Sequence, residues 1–106
     1  MDRVVLEGMA SAFERDYAGA TYPWTRHPDE VADWADELLA LPRDTPSDEW
    51  RQWIFAHDDG RRWIGYRVGA YMTDRVVAAT GRSVVDLASL GTDDFVQMFI
   101  DARDSR

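Results

Sequence analysis

The chain has 106 residues, 45% of them hydrophobic and 12% aromatic, and its basic residues are all Arg: 12 against 20 Asp and Glu, for a net charge of −8. That length suits one small globular domain with a modest core, or part of a larger one, and leaves no room for two, while an acidic balance without a basic stripe argues against nucleic acid as a partner. With no cysteine, disulfides, thiolate metal ligands and thiol nucleophiles are excluded.

The first stretch, Val4 to Phe13, is apolar but broken by Glu7, so it is neither a secretory core nor a membrane span, and the chain reads as cytoplasmic. Val5, Met9, Ala12 and Phe13 recur at helical spacing, and Leu6, Ala10, Phe13 and Tyr17 widen the same face, so this helix is expected to pack along its whole width and to end at Gly19. Gly8, inside the helix, costs about 1 kcal/mol relative to alanine and points to a second backbone coming close. Glu7 stands on the border of the face, where a plain solvated glutamate is the simplest reading.

Tyr22-Pro23-Trp24-Thr25-Arg26-His27 reads as an ordered aromatic loop, and Pro28 as the first residue of a second helix with Val31, Trp34, Leu38 and Leu41 inward. Thr45 and Asp48 read as the capping pair of a third helix that presents Trp50, Trp53 and Ile54 and gives out near His57-Asp58-Asp59-Gly60. The most apolar helix runs from about Trp63 to Thr80 with Ile64, Val68, Tyr71 or Met72, and Val76 as its stripe. Gly65 and Gly69 fall one turn apart on it, together costing about 2 kcal/mol in propensity, with Thr73 continuing the small-residue line. Ser83 and Asp86 form a capping box for a short helix ending at Gly91, and Thr92 opens a last one with Phe95, Met98 and Phe99 inward, fraying from Asp101. No stretch alternates at period two, so the fold class is all-α with five to six helices over residues 1–106.

Two histidines exist, His27 and His57, and neither stands at metal spacing with the other. His27 reads as a turn or cap residue; His57 reads as a loop residue that Asp58 or Asp59 can orient. No serine sits in a nucleophile elbow, and the adjacent acidic pairs decorate loops and helix starts instead of forming a spaced acid–base pair.

The order Leu6-Glu7-Gly8-Met9-Ala10, Tyr22-Pro23-Trp24-Thr25, Trp53-Ile54-Phe55, Trp63-Ile64-Gly65-Tyr66-Arg67-Val68-Gly69 and Ser83-Val84-Val85-Asp86-Leu87 resembles the C-terminal half of a family of predicted zinc-dependent proteases, over nearly the whole chain. In that gluzincin-type family a helix bearing His-Glu-x-x-His comes first, and the Glu of a Glu-Gly-x-Ala segment is the third zinc ligand. The resemblance implies that Glu7 is that ligand and that the helix of Gly65 and Gly69 lies beside the substrate cleft; His57 is a further candidate for that cleft, and the Tyr66 hydroxyl either steadies the developing oxyanion or simply packs. His-Glu-x-x-His itself has no counterpart, so the chain reads as a truncated or separately encoded half. It is then inert alone, with zinc bound only together with the missing segment, which is its expected partner, and a peptide as substrate once reconstituted. Its glycine helices are expected to leave a groove for that metal-bearing helix. The alternative is a non-catalytic helical module, descended from such a protease, that binds a partner helix; a further one is a zinc site made by Glu7, His27 and His57.

Overall fold

The computed structural model describes residues 1–19, 28–42 and 44–104. Among these the chain is all-α: α1 (Asp2–Ala18), α2 (Val31–Leu39), α3 (Ser47–Ile54), α4 (Ile64–Thr80), α5 (Val84–Leu87) and α6 (Thr92–Asp104), with no strand beyond an isolated antiparallel bridge between Ala56 and Arg62. None of these helices is long and apolar enough to cross a membrane.

The helix ends follow local chemistry. Gly19 and Gly81 take left-handed φ of 68° and 69° and close α1 and α4 with N–H donations to Glu14 and Val77. Ser83 and Asp86 make the reciprocal capping box. Thr45 is not the cap of α3: its hydroxyl donates backward to the Pro42 carbonyl at 2.6 Å, and the helix begins at Ser47 behind Pro46. Pro28 likewise stands outside α2, since Pro28 and Glu30 carbonyls close the turn that leads into Val31. The last helix does not fray from Asp101 but runs to Asp104, with Arg103 donating to Asp36 of α2 at 2.6 Å.

α4 is the axis of the fold. It packs most extensively on α1 and also meets α2, α3 and α6, while α5 lies on α1. Ile64, Val68, Met72 and Val76 form its fully buried stripe, facing Val4, Val5, Met9 and Ala12 of α1, Leu38 of α2, Ile54 of α3, Leu87 of α5 and Phe95 and Phe99 of α6 within one core. Tyr71 stays half-buried, its ring edge-on to Phe99 at 5.7 Å.

The α1–α4 contact is backbone on backbone. A Cβ added to Gly8 would land on Gly69, and one added to Gly69 would meet the Val4 carbonyl oxygen, with Gly8 Cα at 2.9 Å and Gly8 N at 3.1 Å. Val4 also lies against Gly65, and Arg15 forks onto Asp74 with bonds of 2.7 and 3.1 Å, so the two helices run side by side in the same direction. Thr73 extends the small-residue line, fully buried with its hydroxyl donating to the Gly69 carbonyl at 2.8 Å.

This corrects the expectation of an unfilled groove. Gly65 is covered by Ile54 of α3, at 3.0 Å from the ideal Cβ, and Gly69 by α1, so the three glycines serve helices already present and neither Gly65 nor Gly69 lines an open cleft here. The width expected for the α1 core face is also corrected. Val4, Val5, Gly8, Met9, Ser11 and Ala12 are buried, whereas Leu6, Ala10, Phe13 and Tyr17 face outward, because α4 covers only one side of the cylinder.

Gly69→Ala is therefore expected to lower stability by about 1–3 kcal/mol despite its better helix propensity, since the methyl has only backbone to push against. Gly91→Ala, with open space around it, should stay within about 0.5 kcal/mol of the parent. Urea melts of both variants check this; a Gly69→Ala midpoint at or above the parent's would mean that the two helices separate freely.

Candidate functional site

Glu7 directly precedes Gly8, whose backbone meets Gly69 of α4. The Glu7 side chain is 32% exposed, and Arg3, one turn earlier, approaches it at 4.0 Å, the long limit of an ion pair. Arg3 is itself held: its guanidinium lies over the Phe55 ring at 5.1 Å. Phe55 in turn packs against Tyr66 at 6.2 Å and Trp63 at 6.3 Å, and Trp63 meets Tyr66 at 5.8 Å, edge-on in both its contacts. Glu7 and Tyr66 are thus tied to one group through Arg3 and Phe55. Arg3 is legible in the sequence as a residue four before Glu7; Phe55 is not, because only the fold brings it there.

Trp63 is the strained member. Its φ of 61° puts a bulky residue in the left-handed region at the start of α4, at a cost of about 1–3 kcal/mol. The aromatic contacts hold it, together with its N–H donation to the Phe55 carbonyl at 3.0 Å. Helix start, ring cluster and Arg3 therefore form one contiguous patch.

His57 belongs to a second group. Its ring lies 4.5 Å from Trp53, and its Nδ1 accepts the Asp59 N–H at 3.3 Å, with an Asp59 carboxylate oxygen 3.1 Å away. Asp59 caps the turn by accepting both the backbone N–H and the Nε–H of Arg61. Arg61 is the hub: its guanidinium bonds Glu37 at 2.7 Å and lies 5.5 Å from Trp34 and 5.4 Å from Trp53. Hydrogen bonds from Arg61 side chain and backbone push the Asp59 carboxyl down to about 2. Glu37 and Asp59 together raise the Arg61 pKa further, so it stays cationic. The pattern ties α2 to the turn before α4 and sets His57 against Asp59 and Trp53.

Of the residues singled out from the sequence, Glu7 and Tyr66 share one group, Gly65 and Gly69 lie beneath it in the helix contact, and His57 stands in the other group. His27 and the loop Tyr22-Pro23-Trp24-Thr25 lie outside the described residues. Among the described residues no three His, Cys, Asp or Glu side chains gather to hold a metal ion, and a catalytic zinc takes three protein ligands. These residues alone therefore do not fit a zinc; Glu7 offers at most one ligand. A cleft of about 410 Å³ is lined by Met1, Asp2, Arg3, Val4, Thr45, Ser47, Trp50, Arg51 and Ile54, and Arg3 is the member it shares with this group.

Residues 1–97 match the family described as "Predicted Zn-dependent protease (DUF2268)". No curated protein and no solved structure matches the chain.

Two outcomes follow. Equilibrium dialysis at neutral pH is expected to show only weak zinc binding by the chain alone; tight one-to-one binding abolished by His57→Ala would reveal a site built around that histidine. Carboxyl-detected NMR titration should place Asp59 at about 2 in place of the usual 3.8. A depressed folded-state pKa means that its contribution to stability is complete above the unfolded value and disappears as pH falls through about 2. Arg61→Gln should return Asp59 toward the ordinary value, and an unchanged titration would remove Arg61 as the cause.

Proposed function

The chain belongs to the predicted Zn-dependent protease family, and from that premise we propose that it is the C-terminal helical part of a gluzincin-type peptidase. In this reading Glu7 is the third protein ligand of a zinc whose two histidine ligands stand on a His-Glu-x-x-His helix supplied by another segment. The bound metal would polarise a peptide carbonyl and a water molecule.

The observation that carries the reading is how weakly Glu7 is paired. A ligand must not be consumed by a local partner. Glu7 comes directly before Gly8, whose backbone meets Gly69 of α4, yet keeps about a third of its side chain exposed and meets Arg3 at 4.0 Å. An exposed pair of that length contributes little, so the carboxylate is available. In this reading Tyr66, whose ring packs against Phe55 and Trp63, would give a hydrogen bond to a peptide oxygen that gains negative charge. Arg3, which approaches Glu7 and lies over the Phe55 ring, also lines the neighbouring cleft, and in this reading an extended peptide would lie there.

The reading predicts that mixing this chain with a separately made His-Glu-x-x-His segment from the same gene or a close relative restores zinc-dependent peptide cleavage. Losing a metal's outer-shell partner alone typically costs about 10–100-fold, so Glu7→Gln, nearly the same shape without the charge, should reduce the activity by at least about a hundredfold. Tyr66→Phe should lower kcat by about a hundredfold with KM little changed. Cleavage that survives Glu7→Gln undiminished would rule out the ligand role.

A further inference from the structure

The outward half of α1 carries a second feature that the zinc reading does not use. Leu6, Ala10, Phe13 and Tyr17 recur there at helical spacing, with Leu6 66%, Phe13 43% and Tyr17 60% exposed. The Phe13 and Tyr17 rings are stacked, 4.8 Å between centroids and 29° between planes, which makes one flat aromatic plate at the end of the strip. A lone exposed apolar side chain is ordinary, but a continuous line of them on one helix face marks a contact surface. The opposite side of the helix is locked onto α4, so the strip is preformed and its docking orders little further.

The margins of the strip say what covers it. By helical position Asp2 and Asp16 border one edge, and Glu7 and Glu14 the other. Arg3 stands among them on the Glu7 edge, and Arg15 is turned toward α4, where it forks onto Asp74 while also meeting Asp16. The rim therefore carries four carboxylates against one arginine, within a chain of net charge −8. A second copy would set carboxylate rims against each other, and an anionic membrane surface would be repelled in the same way. We propose that this face of α1 binds an amphipathic helix whose apolar stripe is flanked by Lys and Arg, in a helix-on-helix contact that needs no metal.

The test uses the whole chain and a synthetic helix of about 18 residues with a leucine stripe and Arg at both flanks, labelled for fluorescence anisotropy, beside a twin with Glu in place of Arg. The basic helix is expected to bind, and the acidic twin to bind at least about tenfold more weakly. Leu6→Ser with Phe13→Ser, at exposed positions, should weaken binding of the basic helix by about tenfold or more while circular dichroism and melting stay at parent values. Tyr17→Ser alone should show a smaller loss, and Glu14→Gln with Asp16→Asn should flatten the salt dependence. Equal binding of both helices, or affinity untouched by the serine variants, overturns the proposal. So does sedimentation showing a dimer that the same serine variants dissolve, which would assign the face to a second copy, or binding to anionic vesicles in preference to the basic helix.

Discussion

Gly8 and Gly69 meet backbone to backbone with no side chain between them, and that approach sets where everything else in the fold can stand. Three glycines inside helices cost about 1 kcal/mol each in propensity. The return is a close, dry contact in which many weakly attracting atoms sit at optimal separation. It forces α1 and α4 into one register, Val4 on Gly65 and Arg15 on Asp74, so neither helix can rotate or slide without collision. The exposed strip of Leu6, Ala10, Phe13 and Tyr17 is turned outward because the other half of α1 is committed to α4.

Two arginines on ring faces divide the rest of the surface. Arg61, between Trp34 and Trp53 and bonded to Glu37 and Asp59, fixes α2 against the turn that enters α4. Its carboxylates are satisfied within the group, and His57 is oriented by Asp59, which gives that region a structural character. Arg3, over Phe55, has only a distant carboxylate partner in Glu7. The difference in pairing between the two groups is the physical reason to look for chemistry at Glu7 and not at His57.

Much of this was legible in the sequence where a single local rule decides. Gly19 and Gly81 closing helices, Ser83 with Asp86 as a capping box, and Gly8 as a point of close backbone approach all follow from conformational preferences that the tertiary fold does not override. The family could also be recognised from the order of its motifs. What failed required knowing the neighbours. The spacing of Leu6, Phe13 and Tyr17 cannot tell an inward face from an outward one. Gly65 and Gly69 announce a close partner without naming it, and the partners were α3 and α1 of this chain. Thr45 had two acceptable uses for its hydroxyl, and the fold chose the Pro42 carbonyl. The union of Arg3, Phe55 and Tyr66 around Glu7 joins three separate elements and leaves no trace in any one stretch.

Zinc X-ray absorption of the complex between this chain and a His-Glu-x-x-His segment tests the account most directly, because it reads the metal's ligands without relying on turnover. A carboxylate oxygen at about 2.0–2.2 Å should accompany two imidazole nitrogens, and Glu7→Ala should remove that oxygen while leaving the imidazole scattering in place. A spectrum that Glu7→Ala leaves unchanged would contradict the assignment of Glu7 as a ligand.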